Sequence, residues 1–269
     1  MRIGNRDFDE NRTHIMGILN VTPDSFSDGG RYKEIDAALF HAEKMIKEGA
    51  AVIDVGGEST RPGFAPVSAE EEQARIIPVI RKIKSEFDIS VSADTYKAST
   101  AKLAIEAGAD LINDVWGLCR DEEMGRVIAD SGVACCLMHN RKEHDYKDFS
   151  VDFWEDLRNI QARGDRFGIN RDRIILDPGV GFQKDTAENL WVIKNLDRMK
   201  ELGMPWLLGC SRKSVIGNTL DLPVGERLEG TIVTTVCAVL NGAMFVRVHD
   251  VKENLRAVLM AEAVKNAKI

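Results

Sequence analysis

The chain predicts a single-domain (β/α)8 barrel with a short N-terminal extension, and three observations carry that prediction. Six glycines, Gly49, Gly108, Gly132, Gly168, Gly203 and Gly242, each close a helix-like stretch and lead into an apolar run. With two further runs at 15–21 and 90–93 these make eight short strand candidates, apolar without alternation as strands buried on both faces are. Almost every run then ends on polar or charged residues: Asn20, Glu58-Ser-Thr-Arg61, Asp94, Asn113-Asp114, His139-Asn140, Asp177, Ser211-Arg-Lys213 and Arg247-Val-His249. Barrels of this kind carry their sites where the strands end, so one pattern gives both the fold and the place to look for chemistry.

The elements follow in order. Residues 1–13 precede the first strand as a short hairpin or plug. After the run at 15–21, Leu39, Ala42, Met45 and Ile46 recur at helical spacing over 36–47, as on an outer barrel helix. The run at 51–55 leads to Ser68-Ala-Glu-Glu71, a capping box that opens the next helix. Pro78 falls inside that helix, where a kink is expected. The remaining strands are 90–93, the run between Gly108 and Asp114, 134–138, 174–176, 206–208 and 244–248. Two strand-to-helix connections, 22–33 and 58–67, are long and rich in Gly, Pro, Ser and Asp, which at this rim marks substrate-ordering loops.

The chain has 269 residues, against about 250 for one barrel. No linker or composition break divides it, so residues 1–269 are read as one domain. A net charge of −7 argues against a nucleic-acid surface, and an anionic ligand must be met by local cations. The N-terminus is charged where a signal peptide needs an apolar stretch, and no apolar run approaches a membrane span. A cytoplasmic enzyme without nucleic-acid or membrane partners is expected. Residues 231–243 read as a buried helix. The five cysteines show no CxxC spacing and are read as reduced packing residues, with Cys135 and Cys136 on opposite faces of one strand.

Arg61, Lys213 and Arg247 come from separate rim segments and together suit a phosphorylated or diphosphorylated ligand. Ser211-Arg-Lys-Ser214 lies between a strand end and a helix, and Arg247 and His249, two apart, point to one side. Asp94, Asn113 and Asp177 form an acid and amide set that can bind a flat nitrogen heterocycle through paired donors and acceptors, with Lys213 on a ring carbonyl. Asp110 and Asp114, nearby, are read as structural. The Walker A spacing is absent, and residues 179–184 lack the dinucleotide fingerprint. With no HExxH, zinc is not indicated. Magnesium, which takes oxygen ligands and substrate phosphates, suits the set better, with Asn20 as a single protein ligand.

These residues lie in motifs that resemble those of the dihydropteroate synthases. Ile18-Leu-Asn-Val-Thr-Pro-Asp-Ser-Phe-Ser-Asp-Gly-Gly30 is similar to the family's first signature and Asp54-Val-Gly-Gly-Glu-Ser-Thr-Arg-Pro-Gly63 to its second. Asp94-Thr-Tyr-Lys97, Ile112-Asn-Asp114, Leu137-Met-His-Asn140, Leu176-Asp-Pro-Gly-Val-Gly-Phe182, Ser211-Arg-Lys-Ser214 and Arg247-Val-His-Asp250 continue the match in order through nearly the whole chain. The resemblance implies condensation of 4-aminobenzoate with 6-hydroxymethyl-7,8-dihydropterin diphosphate, releasing diphosphate. It places Asp94, Asn113, Asp177 and Lys213 on the pterin, with Met138 packed on the ring. It places Asn20, Arg247 and His249 on diphosphate and Mg²⁺, and Phe26, Thr60, Arg61, Pro62, Phe182 and Ser214 around 4-aminobenzoate. It also implies a homodimer formed through outer helices, which 231–243 would join. Ala93, Gln183 and Val215 depart from the commonest pattern, where a larger aliphatic, a glycine and an aromatic are usual. The alternative is another pterin barrel, a methyltransferase from methyltetrahydrofolate to a corrinoid protein; it needs neither the diphosphate groups nor the Thr-Arg-Pro-Gly segment. A barrel that binds pterins without turnover would predict loss of rim residues, and all are present.

Overall fold

The computed structural model describes residues 1–22, 30–58 and 66–268, with the side chains of 30–33 excepted. Most of the two long connections, and with them Phe26, Thr60, Arg61 and Pro62, lie outside the described residues. A hairpin of β1 (Arg2–Ile3) and β2 (Arg6–Asp7) comes first. Eight parallel strands follow: β3 (His14–Asn20), β4 (Val52–Gly56), β5 (Ser90–Asp94), β6 (Leu111–Asp114), β7 (Ala134–Met138), β8 (Ile174–Asp177), β9 (Leu207–Leu208) and β10 (Phe245–Val248). They run β8-β7-β6-β5-β4-β3-β10-β9 around the sheet, and one bridge, Leu176 to Trp206, joins β9 back to β8. The expected barrel therefore forms and is nearly closed.

Helices α1 (Gly30–Glu48), α2 (Ala69–Glu86), α3 (Ala98–Glu106), α4 (Met124–Ser131), α5 (Phe149–Phe167), α6 (Thr186–Lys194), α7 (Ser214–Leu220), α8 (Leu228–Leu240) and α9 (Val251–Lys265) follow the strands. One strand is followed by two: after β9 the chain makes α7 and then α8, where the repeat reading expected a single helix. All six glycines adopt positive φ, from 66° to 106°. At Gly132 and Gly168 this is the left-handed C-cap that turns a helix back toward the next strand. Of the capping box expected on α2 the structure shows one half, Ser68 Oγ accepting from Glu71 N, and the helix continues through Pro78. A reciprocal capping box is found on α6, between Asp185 and Glu188.

The alternation of side chains along the strands divides the apolar residues into two layers. Outward residues such as Ile53, Ala93, Cys135 and Leu176 pack under the helices. Inward residues Met16, Val52, Leu111, Ala134, Cys136, Ile175, Leu207 and Phe245 fill the lower barrel. Cys135 and Cys136 thus face opposite layers, and all five cysteines are free. The hairpin closes that lower end: Ile3 and Phe8 are buried in the inward layer, so the N-terminal segment is both hairpin and plug. Residues 231–243 are only half as expected. Thr231, Thr234, Thr235, Ala238 and Val239 of α8 are buried, whereas Val233 and Leu240 are exposed. Among the described residues no helix is long and apolar enough to cross a membrane.

Because Ile3 is fully buried despite its place near a chain end, Ile3→Ala is expected to cost about 2–4 kcal/mol of unfolding free energy in chemical denaturation. An unchanged midpoint would show that the plug adds nothing to the barrel's stability.

Candidate active site

Strand register sets the site. Asn20 is paired with Gly56, Gly56 with Asp94 and Asp94 with Asn113, so these residues stand side by side where β3 to β6 end. Met138 pairs with Asp177 on the other side of the mouth. Asp94, Asn113, Met138 and Asp177 are all buried. Gly209, just past β9, lies between the two sides. A Cβ there would stand 3.6 Å from Asp177 Oδ2, 3.8 Å from Lys213 Nζ and 3.9 Å from Arg247 Cβ. The structure thus brings Lys213 and Arg247 together with the acid and amide set.

A residue the sequence reading missed joins them. Asp54, fully buried in the middle of β4, accepts from Arg247 Nε at 2.6 Å and from Asn113 Nδ2 at 3.1 Å, both on Oδ2. Arg247 NH2 donates to Asp94 Oδ2 at 2.7 Å. The available signal was a lone acid in the otherwise apolar strand Val-Ile-Asp-Val. Asp54 Oδ1 and Asp94 Oδ1 are buried without a hydrogen-bond partner among the described residues, a costly state unless a donor meets them. Two unpaired carboxylate oxygens in one cup suit a ligand that presents N–H groups.

Burial pushes the Asp94 carboxyl up to about 7, with Arg247 opposing the shift. Burial also raises Asp177, against Lys213 and a hydrogen bond from Gly179 N to Oδ1 at 2.7 Å. The Lys213 ammonium is lowered by burial and supported by Asp177. It donates to Val180 O at 2.5 Å and lies 4.7 Å from the Phe182 ring centre. Burial works against the Arg247 guanidinium, and Asp54 and Asp94 more than offset it.

Other expected residues are placed differently. β10 ends at Val248, and His249 turns to Ser211, whose Oγ lies 3.0 Å from Nδ1, while Arg247 reaches inward. Arg212 is held by Asp250 in a two-pronged pair, so only Lys213 of the 211–214 segment meets the acid set. Ser214 is exposed at the start of α7. Glu58 is occupied by Lys97 at 2.5 Å and by Tyr96 OH at 3.0 Å. Asp110 binds Lys84 and Val91 N, and Asp114 caps Trp116 N and Leu118 N, so both are structural. Among the described residues no three His, Cys, Asp or Glu side chains form a metal cage. Gln183 has φ 43°, the left-handed region, which accounts for the glycine usual at that position.

A barrel whose mouth holds buried carboxylates, an amide and two cations belongs with enzymes that bind a polar, nitrogen-rich ring. The family model described as pterin binding enzyme matches residues 16–249. The chain is 54% identical to the dihydropteroate synthase of Clostridium beijerinckii over 98% of its length and 99% of that protein. It superposes with a TM-score of 0.92 and 48% identity on the Clostridium difficile dihydropteroate synthase crystallised in the presence of pteroic acid, covering 98% of each chain. On the Yersinia pestis enzyme in a sulfonamide drug complex the TM-score is 0.93 at 39% identity, covering 99% of each. The chain belongs to the pterin-binding enzymes and, within them, to the dihydropteroate synthase family. The methyltransferase alternative is thereby set aside.

The acid set yields a pH signature. The folded pKa of Asp94 lies above its unfolded value near 3.8, so the folded state favours the protonated carboxyl. Stability from this group is present at low pH and is lost as pH rises from about 4 through about 7. Asp94→Asn, which has no proton to lose, is expected to flatten the fall in melting temperature between pH 5 and 8. Parallel wild-type and variant curves would refute the shift.

Proposed function

We propose that this chain joins 4-aminobenzoate to 6-hydroxymethyl-7,8-dihydropterin diphosphate, forming 7,8-dihydropteroate and diphosphate in folate biosynthesis. The observation that carries the reading for this site is the cup of Asp94, Asn113 and Asp177 with Lys213 and Arg247 at one barrel mouth. Asp94, Asn113 and Asp177 meet the pterin's ring N–H groups and nitrogens, Lys213 its carbonyl, and Met138 its face. Phe182 and Ser214, with Phe26, Thr60, Arg61 and Pro62 from outside the described residues, shape the 4-aminobenzoate pocket. The complex of the Yersinia pestis homologue with a sulfonamide drug supports reading this chain as a sulfonamide target.

The C–O bond between the pterin's methylene and diphosphate breaks, with its electron pair leaving on diphosphate. The amine lone pair of 4-aminobenzoate then forms the C–N bond, and the nitrogen sheds a proton to solvent. An aromatic amine is neutral at pH 7, so no strong base is needed. Stabilising the departing charge is the principal task. Arg247 and His249 take up that role. Arg247 reaches diphosphate by leaving Asp94, which frees the carboxylate to face the cationic ring.

Magnesium fits the donor set as an ion that arrives with substrate. A Cβ on Gly56 would stand 3.8 Å from Asn20 Oδ1 and 3.6 Å from Asp94 Oδ2, so two side-chain oxygens lie beside the same glycine at the strand ends. Asn20 would hold it, and the ion would supply charge neutralisation to the leaving group. Residues 1–269 act as one pterin-binding domain. The exposed apolar residues Val233 and Leu240 of α8, with Leu259 and Met260 of α9, support pairing into a homodimer, and a cytoplasmic location is part of the same reading.

The test is diphosphate release by the purified protein with the pterin diphosphate and Mg²⁺, with and without 4-aminobenzoate. Release that needs both substrates is expected, and pterin binding without release would defeat the reading. Asp94→Asn should cut turnover by about 10²-fold or more while diphosphate affinity changes far less. Equal losses in both would remove Asp94 from its cation-stabilising role.

A further inference from the structure

Lys184 lies behind the acid set, and the proposed reaction does not use it. Its Nζ lies 2.8 Å from His139 Nδ1, 2.9 Å from Gly179 O and 3.0 Å from Phe182 O. An ammonium has three hydrogens, and these are three neutral acceptors, so each hydrogen is matched. Because Nδ1 of His139 accepts, its Nε2 carries the ring proton, which faces Asp156 Oδ2 at 3.0 Å. The ring itself is fully buried and packs 4.9 Å from Phe153. Asp156, on α5, therefore fixes the histidine and the histidine fixes the lysine.

What the lysine holds is the turn after β8. Gly179 N donates to Asp177 Oδ1, Val180 O receives Lys213 Nζ, and the Phe182 ring lies under that ammonium. Two of the charged groups assigned to the pterin, Asp177 and Lys213, are thus set against a four-residue turn whose two end carbonyls converge on Lys184. Gln183, between Phe182 and Lys184, has the left-handed backbone that brings the lysine back over the turn. Gly181 N is pinned separately by Asn189 Oδ1 at 2.6 Å.

We infer that Lys184 is a positioning residue for the pterin end of the site, holding the 179–182 turn so that Asp177 and Lys213 stand at the spacing the ring requires. The inference rests on the reading of Asp177 and Lys213 as pterin-binding groups. Burial of the ammonium pushes its pKa down to about 7 despite Asp177, so this cation is kept at a cost that a merely packed aliphatic chain would avoid.

The experiment compares wild type, Lys184→Met and Lys184→Gln as full-length proteins. It reads the dissociation constant for 6-hydroxymethylpterin, an unreactive probe, together with kcat, KM for each substrate and the melting temperature. Lys184→Met is expected to weaken pterin binding by about tenfold or more, since small misplacements of binding groups carry losses of this order. For the aminobenzoate substrate, KM should rise clearly less than the pterin dissociation constant, because Phe182 is the one residue of that pocket on the turn, and kcat at saturating pterin diphosphate should fall less than pterin affinity. Lys184→Gln, which keeps an amide donor, should fall between wild type and Lys184→Met; if one variant fails to fold, the other carries the comparison. Wild-type pterin affinity in the folded variants, or equal losses for both substrates, overturns the positioning role. Failure of wild type to bind the pterin at all overturns the underlying reading of Asp177 and Lys213 instead.

Discussion

Arg247 sends its guanidinium across the barrel mouth to Asp54 and Asp94, and the rest of the site depends on that bridge. β10 is hydrogen-bonded to β3 and β9, whereas Asp54 and Asp94 come from β4 and β5. The side chain therefore ties strands that the backbone ladder does not join. It also answers a problem of charge. Carboxylates taken out of water are tolerable only beside compensating cations and donors. Asp54, Asp94 and Asp177 are buried, and Lys213 and Arg247 are the cations placed among them. Lys184 adds to the compensation of Asp177 from behind the cup, and Asp94, raised to about 7, relieves part of the like-charge crowding with Asp54.

Much of this was legible in the chain. Glycines at helix ends, unalternating apolar runs and polar residues at run ends are local signals, and the structure returns them as left-handed caps, buried parallel strands and a shared rim. Asp94, Asn113 and Asp177 were readable because a polar residue closing an apolar strand has few structural explanations. Asp54 was not, because its role is fixed by partners 59 and 193 residues away. The same limit applies to Arg212 and Lys213, adjacent cations of which one pairs with Asp250 and the other meets the acid set. Arg212 sits at φ 57°, and the two side chains leave toward different partners. Pro78 was legible as a residue, and α2 runs on through it as one helix.

Gln183 shows how a departure from a common pattern can be accommodated. A side chain at positive φ costs conformational energy that glycine avoids, and strained positions cluster where the surrounding structure over-determines them. Here the flanking residues, Phe182 and Lys184, are both anchored, the latter by three hydrogen bonds. The turn is specified by its contacts rather than by the residue at its tightest point.

The barrel's closure has its own implication. β8 and β9 meet through a single bridge, with Leu176 N bonded to Pro205 O, whereas β3 and β4 pair over five positions. This seam lies directly beneath Asp177 on one side and the Gly209–Lys213 segment on the other. A sparsely laced seam opens more readily than a full ladder, so backbone amides there exchange with solvent at lower energetic cost than those of neighbouring strands. Above the seam Lys213 bonds to Val180 O, and Asn218 Nδ2 to Thr186 Oγ1 ties α7 to α6. Such a seam makes the width of the mouth adjustable at one place while seven ladders hold the remainder rigid.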